Sequence, residues 1–282
     1  MRDTILETGG VRRGKQRRRQ ESSIETVTLF GIPVRNIGFD DAVTLIRDCV
    51  KRGGSNRVCF FNAHGVTVAD GDPEYREILR NATHVLPDGI GVRIAGMMCG
   101  RRLRPDLNPT DLYPLLCEAL QGTGINMYLL GCEPGIAKKA RIRLLSEYPG
   151  LSICGAHHGY LSGDDEQRVI AAIREAKTDV LLVGMGVPKQ EKWMAKNLEA
   201  THAKVAMGVG ALFEYHAGKA RRAPLWMRRL GLEWLGRLIP GRGAPRRLWR
   251  RYLLGNFRFL WLAVKHGLRV RLGSRRSGPA GR

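Results

Sequence analysis

Apolar and polar positions along this chain alternate between two rhythms. Short runs rich in β-branched and aromatic residues end at Gly, Pro, Asn or Asp, and each gives way to a stretch with helical spacing. Val180–Val183 is the clearest run: it is wholly apolar, as a strand covered on both faces of a parallel sheet must be. Gly184 and Gly186 end it, and Pro188 opens a helix, where a missing N–H costs nothing. The same reading predicts a hairpin from Thr26–Leu29 and Pro33–Ile37 around Gly31, then a helix capped by Asp40 or Asp41 and running to about Arg52. Further strands are expected at Arg57–Asn62, His84–Leu86, Asn126–Leu130, Leu151–Gly155 and Lys204–Val209. Helices are expected from about Gly65 to Asp70, after the cap Asp72-Pro73, from Ile90, up to about Tyr148, and, capped by Asp164, to about Ala176. Strands alternating with helices define an α/β fold: a Rossmann-like, mostly parallel sheet with helices on both faces.

Charge divides the chain where the rhythm does not. Of the net +21, residues 1–22 hold seven basic and three acidic residues, and residues 219–282 hold 18 basic residues and a single acid, Glu233. The stretch between is neutral, with 22 of each sign. We therefore expect a disordered basic tail over 1–24, an α/β catalytic domain over 25–218 and a basic helical C-terminal appendage over 219–282. The appendage carries four of the five tryptophans, with Leu248, Tyr252, Phe259 and Leu262 on one helical face and Leu230–Leu238 expected against the core. Basic amphipathic helices with Trp, Phe and Leu lie on anionic membranes; arginines with aromatics also bind nucleic acid. The density of large aliphatics favours lipid. Six cysteines without metal spacing and no apolar run of spanning length predict a cytoplasmic protein held peripherally on the inner face of the membrane.

The candidate chemistry lies where strands end. Asp88 leaves a strand ahead of Gly89-Ile90-Gly91 and is either a general base for a substrate hydroxyl or a plain helix cap. Asn62, after three apolar residues, either holds a ligand or shapes a turn. Lys189, Gln190 and Glu191 sit behind Gly186 and Pro188 at the edge where open α/β sheets bind ligands. The loop from Gly131 to Gly135, and Gly208-Val209-Gly210, can cradle phosphate on backbone N–H groups, although neither is a Walker or dinucleotide fingerprint. Asp70-Gly71-Asp72 looks like a metal-binding pair, but Asp72 is better explained as a cap, so no metal is expected. His157 and His158 are read as structural or surface residues.

These residues fall into one ordered set of motifs. It comprises Asn62, Pro87-Asp88-Gly89-Ile90-Gly91, Thr110-Asp111, Gly159-Tyr160, Gly184-x-Gly-x-Pro-Lys-Gln-Glu-Lys-Trp193 and Gly208-x-Gly-Ala-x-Phe213. It continues with Ala217-Gly218, Arg222-Ala-Pro224, Gly231-Leu-Glu-Trp234 and Arg246-Arg-Leu-Trp-Arg-Arg-Tyr252. Over about 27–262 the chain resembles the WecG/TagA/CpsF glycosyltransferases of bacterial surface polysaccharide synthesis. The resemblance implies an inverting, metal-independent, cofactor-free transfer of a hexose from a UDP-sugar to a polyprenyl-diphosphate-linked saccharide. By the same resemblance Asp88 is the base. Asn62, Thr110, Asp111, Gly131, Gly186, Gln190, Glu191 and Gly210 serve the substrates, and Arg222, Arg229 and Arg237 of the appendage complete the site. Expected partners are the UDP-sugar, the lipid-linked acceptor and an anionic membrane surface, without nucleic acid and with room for a homo-oligomer. Phe60, Pro109, Glu214 and Ala244 depart from the family pattern and leave the donor sugar open. The competing readings are an RNA-modifying α/β enzyme, for which no methyl-donor fingerprint is found, and a non-catalytic scaffold of polysaccharide assembly.

Overall fold

The computed structural model describes residues 24–104, 107–229, 235 and 247–276. The expected disordered tail and most of Leu230–Leu238 thus fall outside the described residues. A two-stranded hairpin, β1 (Thr26–Leu29) and β2 (Ile32–Arg35), turns on Phe30 and Gly31, both at positive φ. Six strands then form one wholly parallel sheet: β3 (Asn56–Phe61), β4 (His84–Pro87), β5 (Asn126–Gly131), β6 (Ser152–His157), β7 (Val180–Gly184) and β8 (Val205–Gly208). Their order is β4-β3-β8-β7-β5-β6. β7 is central and buried along its whole length, which is why it carries no polar residue.

Helices cover both faces, each with its own apolar cluster. One cluster takes α1 (Phe39–Arg52), α5 (Pro109–Leu120), α6 (Ile136–Glu147) and α9 (Leu212–His216). The other takes the hairpin, α2 (Ala63–Gly71), α3 (Pro73–Arg80), α4 (Ile90–Met98), α7 (Asp164–Glu175) and α8 (Lys189–Thr201). The helix after β5 and the helix after β7 therefore lie on opposite faces, although the two strands are neighbours. That divergence opens a crevice at their carboxyl ends, the place where such sheets bind ligands.

Several boundaries differ from the sequence reading. Gly38, not Asp40 or Asp41, is the cap of α1; Asp41 instead accepts from the Gly38 amide. Gly163 precedes α7, making Asp164 its first residue. α5 was not foreseen at all: Asn108 caps it through the Thr110 amide, and Pro109 fills its first position. Asp72 caps α3 through the Tyr75 amide, as expected.

The appendage contributes α10 (Leu225–Arg229) and the long α11 (Arg247–Arg276). Phe259 and Leu262, expected on the face offered to the membrane, are instead buried with Ala263 against α2 and α4, because the core consumes that face of the helix. Burying Phe259 and Leu262 contributes roughly 2 kcal/mol each. α11 runs in the same direction as α4. Gly91, at the start of α4, lies so close to Phe259 that an added Cβ would sit 3.3 Å from its ring, and Gly267 packs on Met98 at the end of α4. The 12 residues of α11 before Phe259 thus extend about 18 Å beyond α4, past the sheet edge that carries Asp88.

Candidate active site

The carboxyl edge of the sheet gathers the expected residues in strand order. Asp88 follows β4, Asn62 follows β3, Gly210 follows β8, Gly186 follows β7, and Gly131 ends β5. Four inter-strand steps separate the ends of this row, about 19 Å. The row is long enough to hold two ligands side by side.

At one end Asn62 and Asp88 touch. Asn62 Nδ2 donates to Asp88 Oδ2 at 2.9 Å, while Asn62 Oδ1 accepts from the Gly65 amide at 3.0 Å and so caps α2. One side chain thus shapes the turn into α2 and orients Asp88 at the same time. Asp88 is not a helix cap. Gly89 takes that position in α4 without any side-chain bond, and the Asp88 amide continues the sheet by donating to the Phe61 carbonyl at 2.9 Å. A half-buried carboxylate oriented by a neighbouring amide at a sheet edge is suited to taking a proton from a bound hydroxyl.

Beside it stand Thr110 and Asp111, in the first turn of α5. The Leu107 amide donates to the Pro87 carbonyl at 2.9 Å, which fixes the start of α5 against the residue before Asp88. Asp111 receives Arg222 in fork-to-fork fashion, at 2.7 and 2.9 Å, and Arg228 at 3.2 Å. Burial alone would raise the Asp111 carboxyl, but the Arg222 bonds and both guanidinium charges outweigh it and hold the group below its usual value. Arg222 is therefore the hinge-pin by which the appendage meets the domain. Arg228, which the sequence reading did not single out, supports it. The side chain of Arg229, and Arg237 altogether, lie outside the described residues.

The glycine half of the row is built by close backbone approach. A Cβ on Gly131 would lie 2.4 Å from the Gly184 carbonyl oxygen, so β5 and β7 converge only because Gly131 lacks a side chain, while a Cβ on Gly184 would instead meet the Gly210 carbonyl oxygen at 2.8 Å. Gly186 and Gly210 have positive φ and face open space. Their amides are not open, since both donate to Gln190 Oε1, at 3.1 and 3.0 Å. Gln190 is 2% exposed and Glu191 is fully buried, so the two polar side chains expected in solvent or ligand instead lie under the loops. Gln190 Nε2 donates to Glu191 Oε1 at 2.8 Å. Burial pushes Glu191 up to about 7, against the lowering effect of the Gln190 bond. The pair staples the β7–α8 and β8–α9 loops together from beneath.

Among the described residues one group brings metal-type ligand atoms within 4.8 Å of one another: His157, His158 and Asp165, at the end of β6. His157 Nδ1 donates to the His158 carbonyl at 3.0 Å, and nothing else marks the group as a site. Asp70 pairs with Arg258 at 2.7 Å and Asp72 with Lys192 at 2.8 Å, so neither is poised to hold a metal.

A parallel sheet with a crevice at its switch point, a carboxylate–amide pair at its edge and a docked basic arm define a transferase-like α/β enzyme. The sequence matches the model of the glycosyl transferase WecG/TagA/CpsF family over residues 27–273, and the chain belongs to that glycosyltransferase family. It is 30% identical over 226 residues to an N-acetylglucosaminyldiphosphoundecaprenol N-acetyl-beta-D-mannosaminyltransferase of Staphylococcus aureus (strain MRSA252), covering 78% of this chain and 87% of that protein. It is 32% identical over 168 residues to a protein of the same description from Bacillus subtilis (strain 168), covering 60% of this chain but only 65% of that relative.

Proposed function

We propose that this enzyme transfers an N-acetylmannosamine-type hexose from a UDP-sugar to a polyprenyl-diphosphate-linked saccharide, with inversion and without a metal ion. The acceptor class is the one named for both relatives. The observation that carries the reading is the Asn62–Asp88 pair at the end of the sheet nearest the overhanging part of α11. In this reaction the acceptor oxygen attacks the anomeric carbon from the face opposite UDP. Asp88 takes the hydroxyl proton, and UDP leaves with the bonding pair of the old C–O bond. Asn62 keeps the Asp88 carboxylate turned to the acceptor. The nucleotide lies along the glycine half of the row, where Gly186 and Gly210 face open space and Gly131 lets β5 and β7 close up beneath it. Gln190 and Glu191 act there by fixing the loops. Charge on the leaving diphosphate is met by arginines of the appendage, which the Arg222–Asp111 fork holds in place.

The acceptor is a lipid, and α11 is shaped for its surface. Leu254, Phe257, Trp261, Val264 and Leu268 form an exposed apolar stripe opposite the buried Phe259 and Ala263, with Arg258, Lys265 and Arg269 along one flank and Arg271 on the other. Such a helix lies in the headgroup region with its stripe in the acyl boundary. No helix among the described residues is long and apolar enough to cross a membrane. The test is a panel of UDP-sugars against a short polyprenyl-diphosphate-GlcNAc acceptor, scored by released UDP and by the anomeric configuration of the product. UDP-N-acetylmannosamine giving an inverted product supports the reading; no acceptor-dependent UDP release from any donor overturns it. An RNA-modifying reading has no site of its own in the described residues.

A further inference from the structure

A second cavity lies beneath α11, away from the row just described. It has a volume of about 240 Å³, is half open to solvent, and is bounded by the Phe30–Gly31 turn, the second half of α2, Arg76 of α3 and the middle of α11. Its place is at the Asp70 end of α2. That is the opposite end from the Asn62–Asp88 pair, with Asp70 eight residues or about 12 Å along the helix from Asn62.

The walls of this cavity are basic, and no acid among the described residues pairs with their cations. Arg76, Lys265 and Arg269 line it, and Lys265 and Arg269 are one turn apart on α11, a like-charged spacing that disfavours the helix. The single acid in the wall, Asp70, is already taken by Arg258. Arg76 Nε donates to the Ala69 carbonyl at 2.8 Å, which sets the guanidinium at the wall. His266 Nε2 accepts from the Phe30 amide at 3.1 Å, so its ring proton is on Nδ1, a further donor; the ring stacks on Phe30 at 4.7 Å. Lys265 covers Trp261, part of the exposed apolar stripe. The cavity thus adjoins the face of α11 that meets the membrane.

We infer that this cavity binds the phosphate of an anionic phospholipid headgroup, with Arg76, Lys265 and Arg269 as its cationic ligands. The inference rests on the membrane-facing reading of α11. Phosphate neutralises the facing cations, and the acyl chains continue outward beside Trp261. A bound lipid fastens α11 to the hairpin, α2 and α3 at once, and so holds the overhanging part of the helix over the acceptor end of the site.

The experiment is co-sedimentation of the full chain with vesicles of phosphatidylcholine containing either phosphatidylglycerol or oleate at the same surface charge. Arg76→Gln and Arg269→Gln remove a cavity cation, and Arg271→Gln removes a charge from the opposite flank of α11; circular dichroism melts confirm that each variant folds. Expected is an affinity for phosphatidylglycerol vesicles lowered at least fivefold by Arg76→Gln and by Arg269→Gln but less than twofold by Arg271→Gln, with oleate vesicles showing no such difference. Equal losses for all three variants mean diffuse attraction and overturn the inference. If the wild type binds no vesicles, the membrane reading itself fails. The cavity is then judged by thermal shift with glycerophosphoglycerol and with inorganic phosphate. A shift with glycerophosphoglycerol that Arg76→Gln abolishes supports a headgroup site, whereas a shift with inorganic phosphate alone, or none, overturns it.

Discussion

Arg222 reaches across 111 positions of sequence to hold both carboxylate oxygens of Asp111. One end of that fork belongs to the basic appendage and the other to the first turn of α5, whose start is bonded to the residue before Asp88. The contact therefore couples the position of the arm to the catalytic edge.

Arg222→Lys keeps the charge but loses the planar fork. Because Asp111 is partly solvated, the stability loss is modest, about 1 kcal/mol. Turnover is expected to fall at least tenfold, since the arm is no longer registered. A melt together with steady-state kinetics separates the two effects, and unchanged kcat removes the fork from the mechanism.

Asn62 can be divided by its two bonds. Asn62→Asp retains the α2 cap but sets a second carboxylate against Asp88, and Asn62→Ser retains a cap while losing the donor to Asp88. Both variants are expected to fold within about 1 kcal/mol of wild type. Both should lose ten- to a hundredfold in kcat with little change in donor KM. A loss seen only in stability would leave Asn62 a cap and nothing more.

Glu191 gives the fold a pH dependence of known sign. Its folded value of about 7 stands above the ordinary 4.5, so the folded chain holds this proton more tightly than the unfolded chain does. The group costs nothing below pH 4.5. As pH rises through 7 the protonated form is lost, and stability falls by an amount on the order of 3 kcal/mol. Glu191→Gln is expected to raise the melting temperature at pH 8 clearly more than at pH 5. Parallel melting curves at both pH values would contradict the buried staple.

The apolar stripe of α11 is open to a charge test. Phe257→Glu with Trp261→Glu leaves the buried face of the helix untouched, since both residues are exposed, at 73% and 58%. Vesicle binding is expected to drop more than tenfold, while transfer to a short water-soluble acceptor persists. Unaltered vesicle binding would place the membrane contact elsewhere.

The strand–helix alternation was legible because apolar runs such as Val180–Val183 report burial on both faces directly. α5 was not, because it contains two prolines, a residue disfavoured inside helices; yet Pro109 fills a first-turn position where its ring is welcome. The site edge could be found from Asp88 and the glycines, but not how its members are oriented. A Pro-Asp-Gly string does not say whether Asp or Gly caps the next helix, and the inward turn of Gln190 and Glu191 depends on loops that approach from two other strands. The Arg222–Asp111 fork leaves no local trace at all. In α11, apolar residues occupy opposite faces, so only the packing of Phe259 on Gly91 decides which face the core consumes.

The central claim is that Asp88 takes the acceptor proton. Single-turnover transfer by Asp88→Asn, with donor binding measured on the same protein by calorimetry, addresses it most directly. The expected result is donor affinity within threefold of wild type and a transfer rate reduced at least a thousandfold. A transfer rate within tenfold of wild type would contradict the account.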